Sequence, residues 1–216
     1  MAILSKRTKT SLIIDALRLK TRVLRLLKPR ARLSVSKLHL GCGARLVGGW
    51  HNVDLVSGDE RIDLGARLPW PDLSFDDAVA QQVVEHLDLR DHLPRFLKEL
   101  HRVMRPQGRV WVSCPDIEKL CHGYIRDRCK SLYEARQNRY PVWWAGLLPT
   151  QHMLNEGFHQ DGQHLNLFDH DLLCHLILKA GFSTARPSSE DELIAIHPEF
   201  PRRYDHEITL YVMAVA

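Results

Sequence analysis

The sequence lacks several features that would assign it to a special class of protein. None of its apolar runs approaches the roughly 18–20 residues of a membrane-spanning helix. Residues 1–7 lack the compact apolar core and cleavage site of a secretory signal, and no internal repeat or low-complexity tract is present. With 216 residues, of which 44% are hydrophobic and 26% charged, the chain is typical of a soluble globular protein with one α/β domain.

Cysteine is scarce and irregularly spaced. The absence of any CxxC pair argues against a zinc knuckle, and an odd number of cysteines argues against a disulfide scaffold. We therefore expect a cytoplasmic protein with free thiols, and we interpret Cys114 and Cys121 as buried. The later histidines also fit no metal signature in their spacing, so the sequence predicts no metal site; they are His152, His159, His164, His170 and His175.

Positive charge is concentrated at the N-terminus. Residues 1–37 contain eleven Lys or Arg and one acid, giving about +10, whereas the rest contains 30 − 11 = 19 basic and 26 − 1 = 25 acidic residues, giving about −6. Residues 11–28, SLIIDALRLKTRVLRLLK, predict an amphipathic helix that Pro29 ends. One side carries Asp15, Arg18, Arg22 and Arg25, and the other carries Leu12, Ala16, Leu19, Val23, Leu26 and Leu27.

Three roles are open for this basic arm, defined as residues 1–36. It could pack its apolar side on the body, lie on an anionic membrane surface at the inner face of the cell membrane, or bind nucleic-acid phosphates. Nucleic acid is the least favoured partner, because the arm has no aromatic residues for base stacking.

Strands and helices alternate through the body, residues 37–216. We predict strands at 37–40, 51–55, 77–81, 109–113, 182–185 and 208–215. A helix at 88–105 is expected to be capped by Asp91 and stopped at 106–108, and one at 169–180 is expected to be closed by Gly181. This alternation predicts an α/β fold with a Rossmann-like, doubly wound, mainly parallel sheet. Residues 117–168 have few periodic runs and are predicted to be an insertion that binds the substrate or covers it, with 143–166 as a lid.

A glycine turn follows the first strand, in KLHLGCGARLVGGWHNVDL (37–55). Glycine lets a ligand approach the backbone closely, and an acid ending the second strand, Asp54, can accept hydrogen bonds from both hydroxyls of a ribose. Nicotinamide and flavin cofactors and S-adenosylmethionine all use such an arrangement. A plain turn between strands would look the same, so the motif alone does not decide.

A longer succession of motifs is more specific. LGCG, VDL, DL…LPW, SFD, VVEHL, LKEL.RVMRPQG and VSCPD resemble the class I S-adenosylmethionine-dependent methyltransferases, type 11-like, and most of all a small bacterial-type subgroup with LGCG followed by GW.NVD. The resemblance is good over 37–116 and looser over 164–215. It implies that S-adenosylmethionine is the cofactor and that seven residues bind it: Gly41, Cys42 and Gly43 under the methionine portion, Asp54 at the ribose, Asp63 at the adenine amino group, Leu64 beside the ring, and Gln82 near the methyl-donor end.

Three features depart from the family's pattern. His39 replaces an acid common in relatives, Arg45 replaces a third glycine, and residues 44–50 are too few for the usual helix, which predicts a tight loop. S-adenosylmethionine carries no phosphate, so the missing helix dipole argues more against a dinucleotide-dependent oxidoreductase. The departures leave one alternative open, a non-catalytic scaffold with this fold, although such a scaffold has no chemical need for Asp54 and Asp63.

Methyl transfer requires an acceptor held in line with the methyl group, water excluded, and a base when the acceptor is a hydroxyl. The candidates for catalysis are His86, Asp116 and His164, with His159 also considered. No Asn/Asp-Pro-Pro-Tyr or Pro-Cys motif follows residue 81, which argues against methylation of DNA bases. An oxygen acceptor on a glycan, a lipid-linked sugar or a small metabolite is our preference, which the resemblance to the methyltransferases implies in part.

Overall fold

The computed structural model describes residues 5–27, 35–139 and 148–216, and a seven-stranded sheet lies at its centre. The strands are β1 (Lys37–Leu40), β2 (His51–Asp54), β3 (Glu60–Arg61), β4 (Phe75–Gln81), β5 (Met104–Pro115), β6 (Thr184–Ser188) and β7 (Thr209–Val215). Their order is β3-β2-β1-β4-β5-β7-β6, and only β7 runs antiparallel to its neighbours. The predicted mainly parallel sheet is confirmed.

Helices cover both faces of the sheet. They are α1 (Lys6–Leu27), α2 (His92–Val103), α3 (Ile117–Asp127), α4 (Lys130–Arg139), α5 (His152–His159), α6 (His170–Lys179) and α7 (Glu190–Ile196). The apolar stripe of α2, which includes Phe96 and Leu100, packs with α6 in the larger core. On the other face, Trp50 and Trp111 pack against Leu193 of α7 in a second core. This two-sided burial explains the continuous apolar run in β4.

Two predicted helix signals differ from the structure. Asp91 makes no capping hydrogen bond, and α2 begins at His92; instead, the Asp88 carboxylate accepts hydrogen bonds from the backbone N–H groups of Arg90 and Asp91. The helix ends at Val103, and Pro106 to Gly108, expected to be a stop signal, already lie inside β5. The end of α6 agrees better, because Gly181 takes a positive φ of 117° one residue beyond the C-cap.

The first crossover, residues 41–50, joins two parallel strands without a helix, as its length predicts. A buried amide organises this loop. Asn52 Oδ1 accepts a hydrogen bond from Val47 N at 2.9 Å, and its Nδ2 donates to the carbonyls of Val47 and Trp50 at 3.1 and 3.0 Å. Burial of Val47 and Trp50 in the second core then holds the loop against the sheet.

The two ends of the predicted insertion, residues 117–168, lie side by side at the edge of the body. Asp116 pairs with Phe168 in an isolated bridge, and Ile117 N donates to Phe168 O at 3.0 Å. Between these ends, Leu120, Leu132 and Met153 form a small apolar core of their own. Cys121, expected to be buried, is exposed on α3, whereas Cys114 is buried as predicted, and all five cysteines are free thiols. Trp143 and Trp144, at the start of the expected lid, lie outside the described residues.

Helix α1 lies with its polar side toward the body. One of the roles considered from the sequence, in which the apolar side packs on the body, would require the opposite orientation. Thr21 is buried, and Arg18 and Arg22 contact Asp63 of the body. The outer side is apolar: Leu12 is 55% exposed and Leu19 is 65% exposed. None of the helices within the described ranges has the length and apolar character needed to cross a membrane.

Candidate functional site

A cavity of about 510 Å³ opens where the carboxyl ends of β1, β2 and β4 meet, which is where open α/β sheets bind ligands. We call it the larger cavity, and its volume is within the usual range for small-molecule sites. Five of the seven predicted cofactor residues line it: Gly41, Asp54, Asp63, Leu64 and Gln82. The other two belong to the same turn, with Cys42 buried and Gly43 next to it in the chain.

The glycine turn is tied to β2, because the N–H groups of Gly41 and Cys42 both donate to the Val53 carbonyl. Gly41 and Gly43 have φ values of 66° and 53°, which side chains disfavour. A Cβ on Gly41 would lie 2.3 Å from Cγ2 of Val83, whereas a Cβ on Gly43 would have no atom within 4 Å. Gly41 therefore permits close packing, while Gly43 leaves open space above the turn.

The Asp54 carboxylate is oriented by two backbone groups. Gly43 N donates to Oδ2 at 3.1 Å, and Val56 N donates to Oδ1 at 2.9 Å. Each oxygen retains a lone pair, so the carboxylate can accept hydrogen bonds from a diol in the larger cavity.

Asp63 is 4% exposed and is shared between the body and the arm. Its Oδ1 accepts from Gly65 N at 3.0 Å, and its Oδ2 pairs with Nε and Nη2 of Arg22, each at 2.7 Å. Arg18 approaches to 3.9 Å. Residues 10–18 of α1 thereby supply part of the wall of the larger cavity, a contact that the sequence pattern did not predict.

The departures from the family's pattern lie outside both cavities described here. His39 packs on the opposite face of the sheet, edge-on to Phe200, with Nδ1 3.1 Å from Asn52 Oδ1. Burial lowers its pKa to about 4, so the ring is neutral. The Arg45 guanidinium donates to the carbonyls of Pro201 and Arg202. These side chains stabilise the fold and leave the larger cavity open.

A second cavity of about 170 Å³, the smaller cavity, adjoins the first, and Gln82 and His86 line both. Gln82 has a φ of 58° and donates its N–H to Ser113 O, which fixes the chain where the cavities meet. A short 3₁₀ helix, Val84–His86, follows directly. Most of the remaining wall comes from the predicted insertion, through Leu120, Arg136 and residues 153–164, and from residues 203–208 before β7.

Three titratable side chains meet at the polar end of the smaller cavity. The rings of His86 and His164 lie 5.1 Å apart, and Glu85, only 1% exposed, is beside them. Burial raises the pKa of Glu85 to about 8, lowers that of His164 to about 4, and also lowers that of His86. The structure thus places two of the three catalytic candidates together, with an acid that the sequence reasoning did not select.

The other candidates have different surroundings. Asp116 lines neither cavity; it is the N-cap of α3, where its Oδ1 accepts from the N–H groups of Glu118 and Lys119. This bonding is the ordinary structural role of an acid at a helix start. His159 is exposed in the last turn of α5. The catalytic roles of these residues remain predictions.

The chain is similar to known methyltransferases. Residues 48–112 match the family model described as a methyltransferase domain. A solved SAM-dependent methyltransferase from Archaeoglobus fulgidus aligns with 93% of this chain and 94% of its own, at 15% identity and a TM-score of 0.49. One from Mesorhizobium loti aligns with 90% and 96%, at 16% identity and a TM-score of 0.44.

A third similar structure is phosphoethanolamine N-methyltransferase 2 of Haemonchus contortus with phosphomonomethylethanolamine and S-adenosylhomocysteine. It has 12% identity and a TM-score of 0.47, and the alignment covers 90% of this chain but 52% of that chain. The chain therefore spans about half the length of that protein. No curated protein matches the sequence.

The sheet order, its single antiparallel strand and the glycine turn define an α/β protein with a cavity at the carboxyl edge of the sheet. Together with the match of residues 48–112 to a methyltransferase domain, this architecture supports a class I S-adenosylmethionine-dependent methyltransferase. Its cofactor is S-adenosylmethionine, which supplies a methyl group on a sulfonium. The residues present fit this molecule, because the larger cavity has a suitable volume, open space above Gly43, and a carboxylate at Asp54.

Proposed function

We propose that this methyltransferase acts on a hydroxyl oxygen of a glycan, a lipid-linked sugar or a small metabolite, bound in the smaller cavity. The observation that carries the proposal is the pair of imidazoles, His86 and His164, at the place where the two cavities adjoin. In both rings Nδ1 faces a backbone carbonyl, so Nε2 has a free lone pair. A hydroxyl acceptor must release a proton, and it is best held by groups that accept hydrogen bonds.

The lining of the smaller cavity supports a polar acceptor. Ion pairs of Arg136 with Glu156 and of Arg203 with Asp205 lie on its wall, at 3.4 and 2.8 Å. Such groups bind the hydroxyls of a sugar through directed hydrogen bonds. In this proposal the insertion at 117–168 forms the acceptor side of the site.

Seven residues are proposed to hold the cofactor in the larger cavity. The turn passes under the methionine portion, Asp54 accepts hydrogen bonds from the ribose, Asp63 and Leu64 meet the adenine, and Gln82 faces the reacting end. The turn residues are Gly41, Cys42 and Gly43.

We further propose that α1 lies on an anionic lipid surface, which favours a lipid-linked acceptor. The apolar outer side of the helix has no partner among the described residues and is flanked by exposed Lys9 and Lys20. A basic helix with an exposed apolar face is suited to the interface of an anionic membrane.

Calorimetric titration with S-adenosylmethionine and S-adenosylhomocysteine tests the cofactor assignment. We expect micromolar binding by the native chain and at least about a tenfold loss in Asp54→Ala, because two hydrogen bonds to a charged group are lost. Asp91→Ala, an exposed aspartate without a capping hydrogen bond, is the control and should bind like the native chain.

The acceptor is then sought by measuring S-adenosylhomocysteine production with hydroxylated sugars, lipid-linked sugars and matched amino sugars. O-methyl products identified by NMR would support the proposal. Turnover only with amines, or a folded native chain that binds no cofactor, would refute it.

A further inference from the structure

We propose that Glu85, His86 and His164 form a binding site for one divalent transition-metal ion at the polar end of the smaller cavity. One possible ligand atom from each residue lies within 4.8 Å of the other two. Two imidazoles and a carboxylate are a ligand set that zinc and other divalent transition ions use in proteins. This inference differs from the sequence-based prediction of no metal, because the two histidines are far apart in the chain.

Both imidazoles are already oriented as metal ligands require. His86 Nδ1 lies 3.0 Å from Gln163 O, and His164 Nδ1 lies 2.7 Å from Gly157 O. A carbonyl only accepts hydrogen bonds, so Nδ1 carries the hydrogen in each ring and Nε2 keeps its lone pair. A backbone carbonyl that fixes the tautomer in this way is the usual outer partner of a metal-binding histidine.

Burial of the third member, Glu85, is offset only in part by the positive charge of Arg203. Neither of its carboxylate oxygens has a hydrogen-bond partner among the described residues. The two guanidinium groups on the cavity wall already pair with other acids, Arg136 with Glu156 and Arg203 with Asp205. A buried carboxylate without a hydrogen-bond partner is costly, and a bound cation would lower that cost.

The distances suit an ion after a small movement of side chains. Bonds of about 2.1 Å place ligand atoms roughly 3–4 Å apart. Glu85 Oε1 and His86 Nε2 are 4.0 Å apart, and the three ligand atoms of the cluster all lie within 4.8 Å of one another. Imidazole ligands favour zinc, copper, iron or nickel over magnesium, calcium or manganese.

Three protein ligands leave at least one coordination position toward the smaller cavity. That this position receives an oxygen of the acceptor rests on the proposed function, since it assumes the acceptor binds there. The metal site itself does not depend on that assumption.

The test is titration of the full chain with Co²⁺ after treatment with a chelator, followed by visible absorption of the bound ion. We expect one Co²⁺ per chain and a raised melting temperature when Zn²⁺ is added. Glu85→Gln and His164→Ala should each weaken binding by at least about 10- to 100-fold, the loss seen when even outer partners of a metal are removed. His175→Ala, an exposed histidine on α6, should bind like the native chain.

A native chain that binds no Co²⁺ would overturn the proposal. Equal Co²⁺ binding by the native chain and all variants would also overturn it, because the ion would then bind at another place. Titration with S-adenosylhomocysteine on the same samples separates this result from the proposed function. If the native chain binds no Co²⁺ but still binds S-adenosylhomocysteine and produces O-methylated acceptor, only the metal site is refuted and the proposed function stands.

Discussion

The resemblance to methyltransferases implies an acid at position 39, and the surroundings of His39 show that its side chain packs in the fold, away from the larger cavity. It is 3% exposed, its ring meets Phe200, and its Nδ1 reaches Asn52, whose amide also organises the first crossover. The same loop is held from outside by Arg45. The two substitutions and the short crossover therefore form one structural unit on the face away from the larger cavity.

Acid should destabilise the protein through His39. Because burial lowers its folded-state pKa to about 4 from 6.5, the unfolded chain binds a proton first as the pH falls. Stability from this group is complete above pH 6.5 and is lost as the pH falls from there to 4. Between pH 7 and pH 5 the loss is about 2 kcal/mol of unfolding free energy.

Urea unfolding of the native chain and His39→Asn at the two pH values measures this term. Asparagine can keep a hydrogen bond to Asn52 but does not titrate, so the variant should lose less stability on acidification. Charges of Arg45, Asp54 and Arg203 also act on His39, but they are common to both proteins and cancel in the comparison. Equal losses in the two proteins would contradict the assignment, and His175→Asn at an exposed position serves as the control.

Local sequence explains how one half of the candidate site comes together. Gly41 and Asp54 follow directly on strands, and parallel strands end at one edge of the sheet, so their meeting required no long-range information. The pairing of His86 with His164 required the path of the insertion, and the pairing of Arg22 with Asp63 required the orientation of the arm. Neither is encoded in spacing or periodicity.

At the scale of elements, α1 shows why periodicity alone is insufficient. The helical repeat correctly separated Leu12 and Leu19 from Arg18 and Arg22, but it did not determine which side faces the body. The buried Asp63 carboxylate decides this, because it pairs with the arginines and leaves the apolar side outside. The arm thereby becomes a wall of the larger cavity.

Replacing the two arginines that pair with Asp63 by acids should speed the release of S-adenosylhomocysteine from the larger cavity. In Arg18→Glu/Arg22→Glu, Asp63 would be buried beside like charges, which costs about 3 kcal/mol or more of stability for the closed arm. Movement of the arm away from the body relieves this repulsion. We expect S-adenosylhomocysteine to dissociate at least about tenfold faster, measured by stopped-flow displacement. Lys9→Glu/Lys20→Glu makes the same change in net charge at exposed positions and should leave the rate unaltered. An unchanged rate in the first variant would mean that the arm does not retain the ligand.

At the scale of the whole molecule, charge and apolar surface are concentrated on the same element. The first 37 residues carry about +10 and the remainder about −6. In the proposed docking, the apolar outer side of α1 would add a second attraction to lipid; residues 10–18 of the helix line the larger cavity. An acceptor anchored in the membrane would therefore be near the site when the arm is docked.

If the arm docks on a membrane, the protein should bind vesicles that contain anionic lipid. Binding should be weaker to zwitterionic vesicles and at high salt, because each basic residue near an anionic surface contributes about 1 kcal/mol of binding free energy. Leu12→Ser/Leu19→Ser should lower the partition coefficient at least about tenfold, since two exposed apolar side chains no longer enter the lipid. Ile125→Ser/Leu178→Ser alters two exposed apolar residues of the body and should have no effect. Co-sedimentation measures all three proteins. If the arm variant sediments like the native chain, the apolar side of α1 does not contact lipid, and the acceptor search should turn to glycans and metabolites in solution.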